Sequence, residues 1–177
     1  MARYPKSVRL RDEGVFSIRP LRLDDFNAFL MFSRDIPPED RLFLRRDVSD
    51  PEVVQKMIAE SQSESEIWLV TLKDQRIVAQ GSIQRSLHGW MRHVGEMRLV
   101  VARDFQRRGL GSLLARELFI CAIGLKIEKV MAKMAIEQLP SIKCLEKLGF
   151  QKEVVLHNYI KDLNGLYHDM LIMSQEI

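Results

Sequence analysis

Apolar and polar residues alternate from Val15 to Leu21, VFSIRPL, and this period of two predicts a short strand closed by Pro20. The spacing then turns helical. In DDFNAFLMFSR, Phe26, Phe29, Leu30 and Ser33 share one face, with Asp24 or Asp25 as a cap. Paired prolines make Asp35 to Asp40, DIPPED, a turn, and RLFLRRDV after it carries no decisive period. SDPEVVQKMIAESQ starts a second helix, with Ser49 or Asp50 as cap and Pro51 in the first turn.

EIWLVTLK and RIVAQGSIQRS predict strands joined by a turn at Lys73–Gln75, and a second hairpin turn around LHGWMRH leads into the strand VGEMRLVVA. From Leu110 to Leu125 only Ser112, Arg116 and Glu117 interrupt the apolar run, as in a helix buried on most sides. EKVMAKMA predicts a strand, PSIKCLEKLGF a helix ended by Gly149, and QKEVVLHNYI a strand. Asn164-Gly165 then turns the chain into LYHDMLIMS. The order β-α-α-β-β-β-α-β-α-β-β defines an α/β protein with a mixed sheet rather than a repeating barrel. Residues 1–13 are charged and weakly patterned, so a flexible arm is expected before a single domain over 14–177.

At 177 residues, 46% hydrophobic and 29% charged, the chain fits one globular domain. A net charge of +3 is too small to imply a nucleic-acid partner. No stretch nears the roughly 18 consecutive apolar residues of a membrane span, and MARYPKSVRLRDEG has no secretory core. A cytoplasmic protein without membrane partners is expected. Cys121 and Cys144 fit buried free thiols better than a disulfide framework.

The chemistry concentrates in DFQRRGLGS, between the predicted strand MRLVV and the long helix. A helix N-terminus offers amides without intrahelical acceptors and partial positive charge. Gly109 and Gly111 would let a phosphate approach the backbone, and Arg107 and Arg108 add charge, so the turn suits a pyrophosphate. A Walker loop would need a lysine before Ser112, and a dinucleotide fingerprint a glycine at Leu114. The pattern Q/R-x-x-G-x-G/A is instead met throughout Gln106, Arg107, Arg108, Gly109, Leu110 and Gly111. The plainer alternative is a tight turn.

With this loop, the strand order around it and CLEKLGF at Cys144 to Phe150, the chain resembles the GCN5-related N-acetyltransferase (GNAT) family from Val15 onward. That resemblance implies a mixed, mostly antiparallel sheet with flanking helices, and a loop Gln106–Ser112 that holds the pyrophosphate of acetyl-CoA. It also implies that backbone amides of Leu99, Val100 and Val101 hold the thioester and pantetheine arm. The family's helix motif, L-Y-E-K-x-G-F, carries a tyrosine that protonates the departing thiolate; here that position is Leu145, and Gln138 replaces an upstream asparagine.

Transfer to an amine requires a free lone pair, and a lysine-type amine is only about 10⁻³ to 10⁻⁴ neutral at pH 7. Glu96 in VGEMRLVV is the candidate base, on the face opposite Met97 and Leu99; its alternative is a solvated glutamate paired with Arg98 or His93. Pat-type bacterial protein-lysine acetyltransferases are similar in carrying a glutamate at this spacing and a segment like Pro38 to Arg45. The implied reaction is direct attack in a ternary complex, on protein lysine or a small amine, by a monomer or homodimer. An acyl-CoA-binding sensor with the same fold is the rival, made credible by Leu145.

His88, His93, His157 and His168 lack ligand spacing, so no metal is expected. Tyr159 and Tyr167 are expected as half-buried sheet residues, though they could reach the acceptor side. Cys144 is expected as a packed thiol, with a surrogate acid as the alternative. Arg41, Arg45 and Arg46 could favour an acidic partner or merely form a solvated face.

Overall fold

The computed structural model describes residues 4–10, 14–41, 44 and 46–177. One sheet runs in the order β1-β2-β3-β4-β5-β6-β8-β7. Its strands are β1 Lys6–Leu10, β2 Gly14–Pro20, β3 Glu66–Lys73, β4 Arg76–Arg85, β5 Val94–Val101, β6 Lys129–Ala135, β7 Gln151–Lys161 and β8 Tyr167–Glu176. Helices α1 Phe26–Arg34, α2 Pro38–Arg41 and α3 Pro51–Glu60 lie between β2 and β3, α4 Leu110–Gly124 follows β5, and α5 Leu139–Lys147 follows β6. Only β5 and β6 pair in parallel; the other neighbours are antiparallel. The expected mixed, mostly antiparallel α/β sheet is present.

Each sheet face has its own core. On one, α4 lays Leu114 and Leu118 against Leu69, Ile83 and Met97, and α5 adds Ile142 and Leu145. On the other, Phe29 and Phe32 of α1 and Val54 and Ile58 of α3 cover Trp68 and Val70. α4 is anchored where β4 has no side chain. A Cβ at Gly81 would lie 2.7 Å from Leu118 Cδ1 and 3.3 Å from Leu114 Cδ2, so glycine sets how closely helix and sheet approach.

The N-terminal segment differs from the expected arm. Lys6–Leu10 is an edge strand paired with β2, while residues 1–3 and 11–13 lie outside the described residues. Val8 and Leu10 pack on the α4 core, and Lys6 Nζ pairs with buried Glu117 Oε1 at 2.5 Å. The Tyr4 hydroxyl donates to Glu117 Oε2 at 3.3 Å. A charge in the middle of an apolar helix thus has partners, which a buried carboxylate requires.

The structure selects one of the two cap residues expected for each helix. Asp25 occupies the α1 N-cap, but its carboxylate takes both Arg19 guanidinium nitrogens, at 2.6 and 2.7 Å, and the Arg22 N–H. At α3, Asp50 rather than Ser49 is the cap and accepts from Glu52 N–H at 2.8 Å. The unassigned RLFLRRDV contains residues 42, 43 and 45, which are outside the described set.

Asn164-Gly165 forms the turn between β7 and β8, Gly165 at φ 85°. Asp162 Oδ1 accepts the amides of Asn164 and Leu166, and its Oδ2 meets His168 Nε2 at 3.1 Å. Glu137, in the β6–α5 loop, meets His168 Nδ1 at 3.1 Å, so one imidazole ties hairpin to loop. Hydrogen bonds to Asp162 and then Glu137 raise the His168 pKa above its ordinary 6.5, and the His168 bond chiefly lowers that of Asp162 below 3.8. The histidine contribution is therefore complete below pH 6.5 and lost as pH rises through its raised folded value. The Asp162 contribution is complete above 3.8 and lost as pH falls through its lowered folded value. Thermal melts of wild type and His168→Gln, from about pH 6 to about pH 9, test this. The wild type is expected to lose more stability over that interval than the variant, and parallel curves would contradict the linkage.

Candidate active site

β5 and β6 touch over only three pairs, Val94↔Lys129, Gly95↔Val130 and Glu96↔Met131, and β5 then continues to Val101 beside β4 alone. The direction of the β5 amides follows from one bond. Ala102 N–H donates to the Val78 carbonyl at 2.9 Å, so alternation in an antiparallel pair points Val100 at β4 as well. It turns the N–H groups of Leu99 and Val101 to the opposite edge, where β6 has departed. Two of the three expected backbone positions therefore face the gap. Val100 does not; its amide is directed at β4, and its side chain packs on the α1–α3 core.

The turn at the end of β5 continues this edge. Gln106 Nε2 donates to the Val101 carbonyl at 3.1 Å. Arg107 (φ 59°) and Gly109 (φ 86°) are both left-handed, and Gly109 is the α4 N-cap. A Cβ at Gly109 would meet nothing within 4 Å, so glycine serves the backbone angle and leaves open space outside the turn. The first helical bond of α4 runs from Leu113 N–H to the Gly109 carbonyl, which places the amides of Leu110, Gly111 and Ser112 ahead of the ladder. Leu110 sends its side chain into the core, leaving only its backbone for the loop. A Cβ on Gly111 would lie 3.4 Å from Leu99 Cδ2 and 3.6 Å from Val101 Cγ2, ordinary contacts that join the helix start to the open edge of β5. The Arg108 guanidinium lies over the Phe105 ring.

Glu96 stands at the last β5–β6 pair, on the sheet face opposite α4, with its side chain 15% exposed. Arg98 Nε and Nη2 both donate to its Oε1 at 3.2 Å, and Lys133 Nζ lies 3.1 Å from Oε2. Arg98 is thus a partner, as the plainer alternative required. The His93 carbonyl accepts the amides of Glu128 and Lys129. Lys133 was not apparent from sequence. In KVMAKMA alternation puts Lys129, Met131 and Lys133 on one side, but only the Glu96↔Met131 register brings Lys133 across the parted strands.

Leu145 is buried in the α4–α5 core. Gln138 is the α5 N-cap, its Oε1 accepting the Ala135 amide at 3.0 Å. Cys144 is half-buried rather than packed away, its Sγ 3.3 Å from Ser112 Oγ, and Cys121 is half-buried near the Tyr4 hydroxyl; neither is in a disulfide. Tyr159 and Tyr167 depart from the expected half-burial: they are 66% and 61% exposed, and Lys161 lies over the Tyr167 ring. His157 pairs with Asp169. Among the described residues no cluster of three or more His, Cys, Asp or Glu has the geometry to hold a metal. None of the described helices is long and apolar enough to cross a membrane. Of the basic run, Arg46 pairs with Glu60 at 2.6 Å and Arg45 lies outside the described residues.

Comparison with known structures finds the same architecture. A GNAT-family acetyltransferase from Streptococcus pneumoniae is 20% identical, with TM-score 0.80 over 92% of this chain and 99% of that one. The GNAT domain of PAT from S. lividans is 18% identical, with TM-score 0.81 over 100% of this chain and 99% of that one. Mycobacterium smegmatis RimJ, in complex with CoA-disulfide, is 22% identical, with TM-score 0.78 over 98% and 88% of the two chains. No curated protein matches the chain in sequence. At these identities the structural likeness establishes the fold. The sequence itself matches the family model for an acetyltransferase (GNAT) domain over residues 16–151, and the chain belongs to that family.

Proposed function

We propose that the protein is an N-acetyltransferase that moves the acetyl group of acetyl-CoA directly to a primary amine, in the cytoplasm, as a monomer or homodimer. The observation that carries this reading is the parting of β5 from β6, which leaves the Leu99 and Val101 amides facing a gap that ends at the Gly109 turn. Amides on that edge suit a thioester carbonyl and the oxyanion formed from it. The turn's open space and the helix-start amides of Leu110, Gly111 and Ser112 suit a pyrophosphate.

The acceptor ammonium must first lose a proton, at a cost of about 4–5 kcal/mol for a lysine-type amine at pH 7. Glu96 accepts it. The amine then attacks the carbonyl carbon, the N–C bond forms, the C–S bond breaks, CoA leaves as thiolate, and the nitrogen releases its second proton to solvent. Leu145 has no proton to give, so the thiolate takes its proton from solvent. Protein lysine is the proposed acceptor, before small amines.

Calorimetric titration with acetyl-CoA, CoA, ATP and NAD tests the first half. Saturable binding of acetyl-CoA and CoA alone is expected, and equal or tighter ATP binding would refute the reading. Gly109→Val should weaken acetyl-CoA binding by about 10-fold, because a β-branched residue at this angle costs about 1–2 kcal/mol and its side chain enters the open space. The buried Leu145 favours a second reading, an acyl-CoA sensor. Binding without thiol release across a panel of amines and lysine peptides would select it.

A further inference from the structure

Lys133 carries an amine where the proposed reaction needs one. It stands on β6 two residues beyond Met131, the last residue paired with β5, and is therefore level along the strands with Arg98, one residue short of Leu99. Its side chain crosses the parted strands to place Nζ 3.1 Å from Glu96 Oε2, and it is 27% exposed. Lys129 and Lys152 lack this setting. Lys129 reaches Glu153 and Lys152 reaches Glu146, both on the exposed surface.

We propose that Lys133 is a self-acetylation site, its Nζ taking the acetyl group of acetyl-CoA bound to the same chain; this rests on the transferase reading. Glu96 Oε2 accepts one proton from the Lys133 ammonium and passes it to solvent. The neutral nitrogen attacks the thioester carbonyl, the N–C bond forms and the C–S bond breaks. The departing CoA thiolate gains a proton equivalent to the second one lost from nitrogen, leaving an amide, free CoA and one proton in solution. Acetylation replaces the Lys133 cation by a neutral amide, so only Arg98 of the two cations remains on Glu96. The modified chain then presents a Glu96 that an acceptor ammonium can reach without displacing Lys133.

The test is incubation of the full-length protein with carbon-13 acetyl-CoA, followed over time by intact mass and peptide mapping. Lys133 is expected to gain label at least about 10-fold faster than Lys129 or Lys152, since a positioned base contributes about 10²–10⁴ in rate. The rate should not depend on protein concentration. Glu96→Gln should slow Lys133 to the rate of the other two, and Lys133→Arg, which keeps a cation on Glu96, should lose the fast phase. Uniform labelling of the three lysines, with acetyl-CoA binding shown by calorimetry, overturns self-acetylation and leaves the transferase reading intact. A rate that rises with protein concentration also overturns it. Failure to bind acetyl-CoA removes both.

Discussion

Glu96→Gln lowers kcat for amine acetylation by about 10²–10³ at pH 7 and leaves the acetyl-CoA Kd within about twofold, as expected for loss of a positioned proton acceptor. The substitution preserves shape but keeps an accepting oxygen for only one of the two cations, Arg98 or Lys133, because the amide nitrogen donates. Arg98 and Lys133, left opposite a neutral amide, are 37% and 27% exposed and keep access to water. What disappears is the ability to take a proton from the acceptor. Its signature is a pH profile: the deficit should shrink as pH approaches the acceptor's own pKa, because solvent then supplies the free amine. A purely structural ion-pair role predicts a different pattern, with lower thermal stability and a deficit that does not change with pH. Steady-state kinetics over that range, with calorimetry on the same preparation, separate the two. An unchanged kcat would leave Glu96 as a member of an ion-pair network only.

Much of this arrangement was legible from local pattern. The helix from Leu110, the glycine-bearing turn before it and the strand carrying Glu96 follow from apolar spacing and from glycine chemistry, which act over a few residues. The parts that were not legible depend on pairings between distant segments. Lys6–Leu10 looked like an arm because its polar half points outward and its partners, β2 and Glu117, are fixed only by the fold. Lys133 meets Glu96 through a parallel register of three pairs, and no local signal encodes where two strands begin to part. Asp25 had the right position for a helix cap, but a bidentate Arg19 competes for the same carboxylate. The direction of the Val100 amide depends on the phase of the β4–β5 ladder, which alternation of side chains alone does not reveal.

Gly81→Ala should destabilise the protein by about 1–2 kcal/mol, the balance of two opposing effects. Replacing a glycine with alanine restricts the unfolded chain and stabilises by about 0.4–1 kcal/mol where the backbone allows it. Against this stands overpacking. The new methyl would lie 2.7 Å from Leu118 Cδ1, 3.1 Å from Leu99 Cδ1 and 3.3 Å from Leu114 Cδ2, three side chains held in a close-packed core. Such insertions cost about 1–3 kcal/mol, so the second effect wins. For a chain of this size the melting temperature should fall by about 2–4 °C per kcal/mol. The site should feel it too, because α4 carries Leu110–Ser112 at its start and Leu99 belongs to the open edge of β5. Any movement of helix from sheet alters the distance between those amides, and acetyl-CoA binding should weaken together with the melting temperature. Leu118→Ala, a fully buried truncation, should cost about 2–5 kcal/mol alone. Combined with Gly81→Ala it should cost less than the sum, since the methyl at 81 then occupies space that Leu118 has vacated. Additive losses in that double-mutant cycle would show that the helix–sheet distance is set elsewhere, and a stable Gly81→Ala would show that Leu118 swings aside at no cost.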